Sequence, residues 1–266
     1  MGTRLPARPA VAIVGSRRSS ITGNEIAHEL ARGLAERGVM VVSGLARGID
    51  AAAHRGALAG GGATVAVLGC GIDVCYPQEH AALRDRIRLS GSVITEYEAG
   101  DQPMPFRFPD RNRIIAALCC AVIVVEATVR SGALSTSRHA ADLGRDVLAV
   151  PGSIRSDRSG GTNQLIRDGA IPLLELADVF HNVRELAIIA DDPALFAPAD
   201  HVGPGRMSPS NPDHRRLLDA VGGDPVHPDS IGMRLGLPAA VVASHLSALE
   251  LLGHLRTVAG GLIVRT

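Results

Sequence analysis

Residues 39–54, VMVVSGLARGIDAAAH, decide the fold of this chain. The run VMVV at 39–42 is apolar and mostly β-branched, which predicts a short strand buried on both faces. The chain turns at Ser43-Gly44 and a helix follows almost at once, with Asp50 the expected N-cap ahead of Ala51, Ala52 and Ala53. The loop Leu45-Ala46-Arg47-Gly48 therefore joins the C-terminal end of a strand to the N-terminus of a helix, where open α/β sheets take their ligands. Free backbone N–H groups and the positive end of the helix dipole favour an anion there. Arg47 adds a planar, delocalised charge suited to phosphate. A plain strand-to-helix turn with a solvated arginine would carry the same letters.

The alternation extends in both directions. Upstream, VAIVG from Val11 predicts a strand, followed by the loop SRRSSITG and a helix from Asn24. Ile26, Leu30 and Leu34, with Ala27 and Ala31 beside them, give that helix one apolar face, and Gly38 ends it. Downstream, strands are expected at 64–68, 92–96, 121–126 and 146–150, with helices through Leu83 and Ile87, from 111 to 118, and after the loop ATVRSG. Such spacing predicts an α/β fold: a Rossmann-like, doubly wound, mainly parallel sheet. Right-handed crossovers then set every strand-to-helix loop along one edge. Arg17, Arg18, Arg47, Arg107, Arg111, Arg113, Arg130, Arg155 and Arg158 all fall in or beside such loops, so they are expected to form one basic mouth.

Composition narrows the function classes. The 266 residues suffice for one large domain and a small second one. Charge is balanced, 27 basic against 27 acidic, so the net charge alone does not point to a nucleic-acid partner. All the basic residues are arginine, which removes any lysine Schiff base and makes each basic contact a planar fork. No apolar run approaches the roughly 20 residues of a membrane span, and MGTRLPARPAV has no signal-peptide core, so a cytoplasmic protein is expected. Cys70, Cys75, Cys119 and Cys120 lack C-x-x-C spacing and read as reduced core thiols. Gly15-Ser16-Arg17 and Gly69-Cys70-Gly71 both fall short of the dinucleotide fingerprint, and there is no P-loop. The histidines have no ligand spacing, and neither metal nor cofactor is expected.

The most specific stretch is FRFPDRNRII, residues 106–115. Phe108, read here as a loop residue, offers a stacking face beside Arg107, Arg111 and Arg113, while the Asn112 amide can bond a base edge. Positive charge interleaved with an aromatic is how single strands are held. The same letters also fit a core Phe108 with the arginines paired to Asp101, Asp110 and Glu96.

Taken together, GSR at Gly15, SGLARGIDAAAH at Ser43, VAVLGCGIDVCYP at Val65, ITEY at Ile94, FPDRNRII at Phe108, VVEATVRSGALSTSRHA at Val124, VLAVPGSI at Val147 and SGGTNQLIRDGA at Ser159 resemble the DprA/Smf DNA-processing family. The resemblance covers residues 11–174. It implies an extended Rossmann-like domain that binds single-stranded DNA, forms a homodimer, and helps load RecA recombinase during natural transformation. It carries a DNA contact over to Arg47 and, more loosely, to Arg107, Phe108, Arg111, Asn112 and Arg113; Gly15, Ser16, Arg17, Ser43, Gly44, Gly48, Ser131, Gly132 and Thr136 complete the expected nucleic-acid-binding set, and no catalytic residue is expected. Where many members have SGSLITA, this chain has SGALSTS at Ser131. Many members also carry a helical domain before the sheet, which is expected to be absent here because the first strand begins at Val11.

The domain plan is a Rossmann-like domain over 1–180, a helical segment and Pro/Gly/Ser-rich linker over 181–212, and a winged helix over 213–266. In the last, helices are expected at 213–221, 227–235 and 238–252, with Val241, Leu246, Leu249 and Leu252 buried, then a hairpin of 255–258 with 262–265. The third helix carries no arginine, so it fits a protein contact or a structural role as well as a DNA contact. The alternative function is a nucleotide-processing enzyme of the lysine-decarboxylase-like phosphoribohydrolase group. Those enzymes typically carry a glutamate one turn beyond a glycine-rich loop, and residues 128–136 lack it.

Overall fold

A computed structural model describes residues 9–187, 212–221, 226–251, 254–258 and 262–265. The chain divides into two units, residues 1–196 and 197–266.

The first unit is built from strands β1 (Ala10–Val14), β2 (Met40–Ser43), β3 (Thr64–Val67), β4 (Ser92–Ile94), β5 (Ala121–Val124), β6 (Asp146–Ala149) and β7 (Ile171–Pro172). Between them lie helices α1 (Ile21–Glu36), α2 (Ile49–Ala59), α3 (Ala81–Ser90), α4 (Arg107–Ala117), α5 (Ala133–Asp142) and α6 (Gly160–Arg167), with α7 (Leu176–Asn182) after β7. The sheet runs β4-β3-β2-β1-β5-β6-β7 and every pairing is parallel. Strand order reverses between β1 and β5, which makes their C-terminal ends the topological switch point.

The period of two along each strand divides the core into two layers. Val11, Ile13, Val41 and Ile123 face α1 and α7 through Leu30, Leu34, Val179 and Phe180. Ala12, Val14, Val42, Val67 and Val124 face α4 and α5 through Ile115, Ala116 and Ala140. Each fully buried aliphatic such as Ile13 or Ile123 contributes about 1.5–3 kcal/mol. Helices α1 and α2 touch so closely that a Cβ on Gly56 would stand 2.1 Å from the His28 carbonyl oxygen.

Several boundaries differ from the sequence reading. Asp50 is not the N-cap of α2: Gly48 is, at φ 74, and Asp50 lies buried inside the first turn. Its carboxylate accepts from the N–H groups of Gly44 at 3.2 Å and Ala46 at 3.3 Å, so it closes the preceding loop from within. Helix α1 begins at Ile21 rather than Asn24, because the Ser20 hydroxyl accepts from Gly23 N and caps it earlier. Helix α4 begins at Arg107 rather than Arg111, and Phe108 with it. Pro109 falls in the first turn, where a missing N–H costs nothing. The seventh strand was not expected; it has two residues, one of them a proline tolerated at the sheet edge.

The second unit contains α8 (Pro212–Ala220), α9 (Pro228–Leu235), α10 (Ala239–Leu251) and the antiparallel hairpin β8 (Leu255–Val258) with β9 (Leu262–Arg265). A bridge from Val226 to Ile263 adds a third short strand position, completing a winged helix. Its core includes Leu217, Ile231, Val242, Leu246, Leu249 and Ile263. Val241 is exposed and Val242 is buried instead, a one-residue phase shift that a run of apolar letters does not resolve. Leu252, the hairpin turn at 259–261 and residues 198–211 of the expected linker lie outside the described residues. Of the helical segment expected after 181, the end of α7 and a 3₁₀ turn, Arg184–Leu186, are described.

Candidate nucleic-acid interface

An open cavity of about 1100 Å³ sits at the switch point. Gly15 through Arg18 after β1 form one wall, and Thr128, Ser131, Gly132, Ala133 and Thr136 after β5 form the opposite one. Ala46 and Asp50 enter from the β2 loop, Tyr76 from the β3 loop, Phe108, Arg111 and Asn112 from α4, and residues 155–158 from the β6 loop.

Close backbone approach explains the glycines. A Cβ on Gly15 would lie 2.7 Å from the Ile49 side chain and 2.9 Å from the Glu126 carbonyl oxygen. One on Gly48 would lie 2.3 Å from the Ser16 carbonyl oxygen, in addition to the strain of its positive φ. This contact allows Ser16 N to donate to Glu126 O at 2.7 Å and Ile49 N to Ser16 O at 3.3 Å, which ties the loops after β1, β2 and β5 together. Ser43 is buried, its hydroxyl donating to the Ile13 carbonyl.

The aromatic of the FRFPDRNRII stretch is half-buried. Phe108 packs over Gly69, its ring centroid 5.4 Å from that of Tyr76, and the Arg17 guanidinium lies 4.6 Å from its centre. Asn112 reaches across to α5, donating to the Gly132 carbonyl at 3.2 Å and the Ser135 hydroxyl at 2.8 Å. The Ser135 hydroxyl also donates to Gly132 O, so the acceptor that Thr136 would ordinarily use one turn back is occupied. Thr136 is buried and its hydroxyl has no hydrogen-bond partner.

The arginines divide into groups. Arg17, Arg18, Arg155 and Arg158 are exposed and line the cavity, and among the described residues none of them is in an ion pair. Arg47, Arg107, Arg113 and Arg130 do not line it. Arg47 is exposed at the surface and bidentate with Glu79, and that hydrogen bond holds the Glu79 carboxyl down at about 2. Arg107 pairs with Asp101 at 2.9 Å and stacks over Tyr97, while Arg113 pairs with Glu96. Arg111 departs furthest from an open phosphate contact: it is 3% exposed and donates to the carbonyls of Gly44, at 2.9 Å, and Val67. Burial, opposed by Asp50, lowers its pKa to about 10.

Tyr76 was absent from the expected set, although two tyrosines in the whole chain made an aromatic on a strand-end loop a signal. Arg18, Arg155 and Arg158 were read into the mouth but not among its contacts.

Residues 3–184 match the family model described as DNA recombination-mediator protein A, and residues 204–261 match the DprA winged helix domain. The chain belongs to the DNA recombination-mediator protein A family. It is 51% identical over 162 residues to the DNA processing protein DprA of Streptococcus pneumoniae, which covers 61% of this chain and 57% of that protein. Protein Smf of Escherichia coli is 37% identical over 95% of this chain and 67% of its own length. Among solved structures, a DNA processing protein A from Helicobacter pylori, described by its single-stranded DNA binding mode, superposes with a TM-score of 0.59 at 32% identity, covering 63% of this chain and 76% of that one. The chain thus spans about three fifths to two thirds of the length of these curated relatives. In this member of the family no described helix is long and apolar enough to cross a membrane.

Proposed function

We propose that this chain is a non-catalytic single-stranded-DNA-binding protein that protects incoming strands and helps load RecA recombinase. It acts in the cytoplasm as a homodimer through its Rossmann-like unit. The observation that carries this reading is the switch-point cavity: large enough for a nucleotide unit, rimmed by four arginines that form no ion pair among the described residues, and open to the α5 N-terminus. The binding mode described for the Helicobacter pylori relative supports it. Phosphates meet Arg17, Arg18, Arg155 and Arg158. Gly15, Ser16, Ser131, Gly132 and Thr136 supply main-chain and hydroxyl donors, and Arg47 joins from outside the cavity by exchanging Glu79 for a phosphate. The cavity's carboxylates do not suit acid/base work. Asp50 is tied to two N–H groups and Asp157 is exposed, so a nucleotide-processing enzyme is not favoured.

The test is a titration with single-stranded and duplex oligonucleotides over a range of salt. The single strand is expected to bind more tightly, with log K falling by about 0.7 per decade of salt for each phosphate held. Equal affinity for duplex would remove the cavity as the main binding element. Release of free base from nucleoside monophosphates would overturn the non-catalytic reading.

A further inference from the structure

We propose that Arg111 is a positioning residue for strand binding, which sets the loop bearing Arg47 and does not itself touch the strand. The inference rests on the single-strand-binding reading above. The Arg111 guanidinium bridges the two places where β2 and β3 stop pairing, donating to the carbonyls of Gly44 and Val67. Both bonds leave one terminal nitrogen, Nη1, whose two hydrogens serve the two diverging strand ends while the planar group fixes their directions. Its counter-charge, Asp50, takes the Gly44 and Ala46 N–H groups. Both main-chain groups of Gly44 are therefore held by two buried side chains of opposite charge. The fit is close: a Cβ on Gly44 would lie 2.5 Å from Arg111 Nη2 and 2.8 Å from Asp50 Oδ2.

The residue that follows is held just as firmly. Leu45 is buried at φ 56, a left-handed conformation that a leucine keeps only where its surroundings impose it. Two residues later the backbone delivers Arg47 to the surface, and Gly48 locks against Ser16. A phosphate that took over Arg111 Nη1 would displace two carbonyls and leave them buried without donors. Arg111 thus acts on the strand through Gly44 and Leu45, at the position of Arg47.

A double-mutant cycle tests this, measuring single-strand affinity against salt for the wild type, Arg111→Gln, Arg47→Ala and the double variant. Arg111→Gln is expected to weaken binding by about as much as Arg47→Ala. The double variant should bind no worse than Arg47→Ala, with a salt slope reduced by about 0.7 in all three. Arg111→Lys, which keeps a cation able to donate to both carbonyls, should recover part of the loss. Losses that multiply, with the double variant's slope down by about 1.4, would assign Arg111 a phosphate of its own and overturn the proposal. Where Arg111→Gln fails to fold, Asp50→Asn/Arg111→Gln removes both buried charges together, and the same cycle is run on that background. Wild-type affinity in the folded neutral pair would also overturn it. A wild type that shows no preference for single strands would instead remove the parent reading, and this inference with it.

Discussion

Replacing Phe108 separates a ring that seats other side chains from a ring that stacks on bases. Truncating a fully buried phenylalanine costs about 3–5 kcal/mol, and this one is half-buried, which gives about 2 kcal/mol for its contacts with Gly69 and the β3 loop. The tilted pair with Tyr76 and the Arg17 cation each add roughly 0.5–1 kcal/mol, partly counted already in the packing, so Phe108→Ala should cost about 2–3 kcal/mol. For a unit of this size a kilocalorie is worth about 2–4 °C, so the Rossmann-like unit should melt about 4–12 °C lower. Binding should weaken as well, because Arg17 loses the surface that holds it over the cavity. Phe108→Leu keeps the apolar body but not the π face, and should restore most of the melting temperature while leaving affinity reduced. Differential scanning calorimetry beside an affinity titration reads both quantities. An unchanged melting temperature with strongly reduced affinity would refute this reasoning and make the ring an exposed stacking platform.

Glu79→Gln should tighten single-strand binding several-fold at low salt by freeing Arg47, whereas Arg47→Ala should flatten the salt slope by about 0.7; an unaltered Kd in Glu79→Gln would take Arg47 out of the interface. Gly56→Ala forces a methyl to within 2.1 Å of the His28 carbonyl oxygen and should cost about 3 kcal/mol or more, read as a fall in the denaturant midpoint. His54 is buried, its Nδ1 bonded to the Thr64 hydroxyl, which itself donates to Val41 O; desolvation brings its pKa from 6.5 to about 3. The unfolded chain therefore binds the proton first. The stability His54 contributes is intact above about pH 6.5 and is lost as pH falls towards 3. It should drop by about 2 kcal/mol between pH 7 and pH 5, a dependence that His54→Asn should flatten in denaturant titrations.

The elements that run in phase with a single period were legible, and the boundaries set by distant atoms were not. Residues 39–42 and 121–124 read as strands because every position is apolar, as a sheet covered on both faces requires. The letters at Asp50 imitate a helix cap, but what fixes the start of α2 is the contact of Gly48 with Ser16 O, invisible to any local pattern. Alternation and crossover handedness alone set the strand-to-helix loops along one edge of the sheet. Which arginines supply its field did not follow, because the partners lie far along the chain. Glu79 is 32 residues from Arg47, and the Gly44 carbonyl is 67 residues from Arg111. Those pairings change the electrostatics more than the arginine count does. Arg47, Arg107 and Arg113 reach the surface already neutralised by carboxylates, and Arg111 is withdrawn from solvent. On the proposed reading, the cavity-lining attraction for an incoming strand comes from Arg17, Arg18, Arg155 and Arg158, contributed by the loops after β1 and β6 on either side of the switch point. A strand drawn to those four meets the N-terminus of α5 between them. The first contact is then expected at the β1 and β5 ends, with Arg47 engaging only once a phosphate can compete with Glu79.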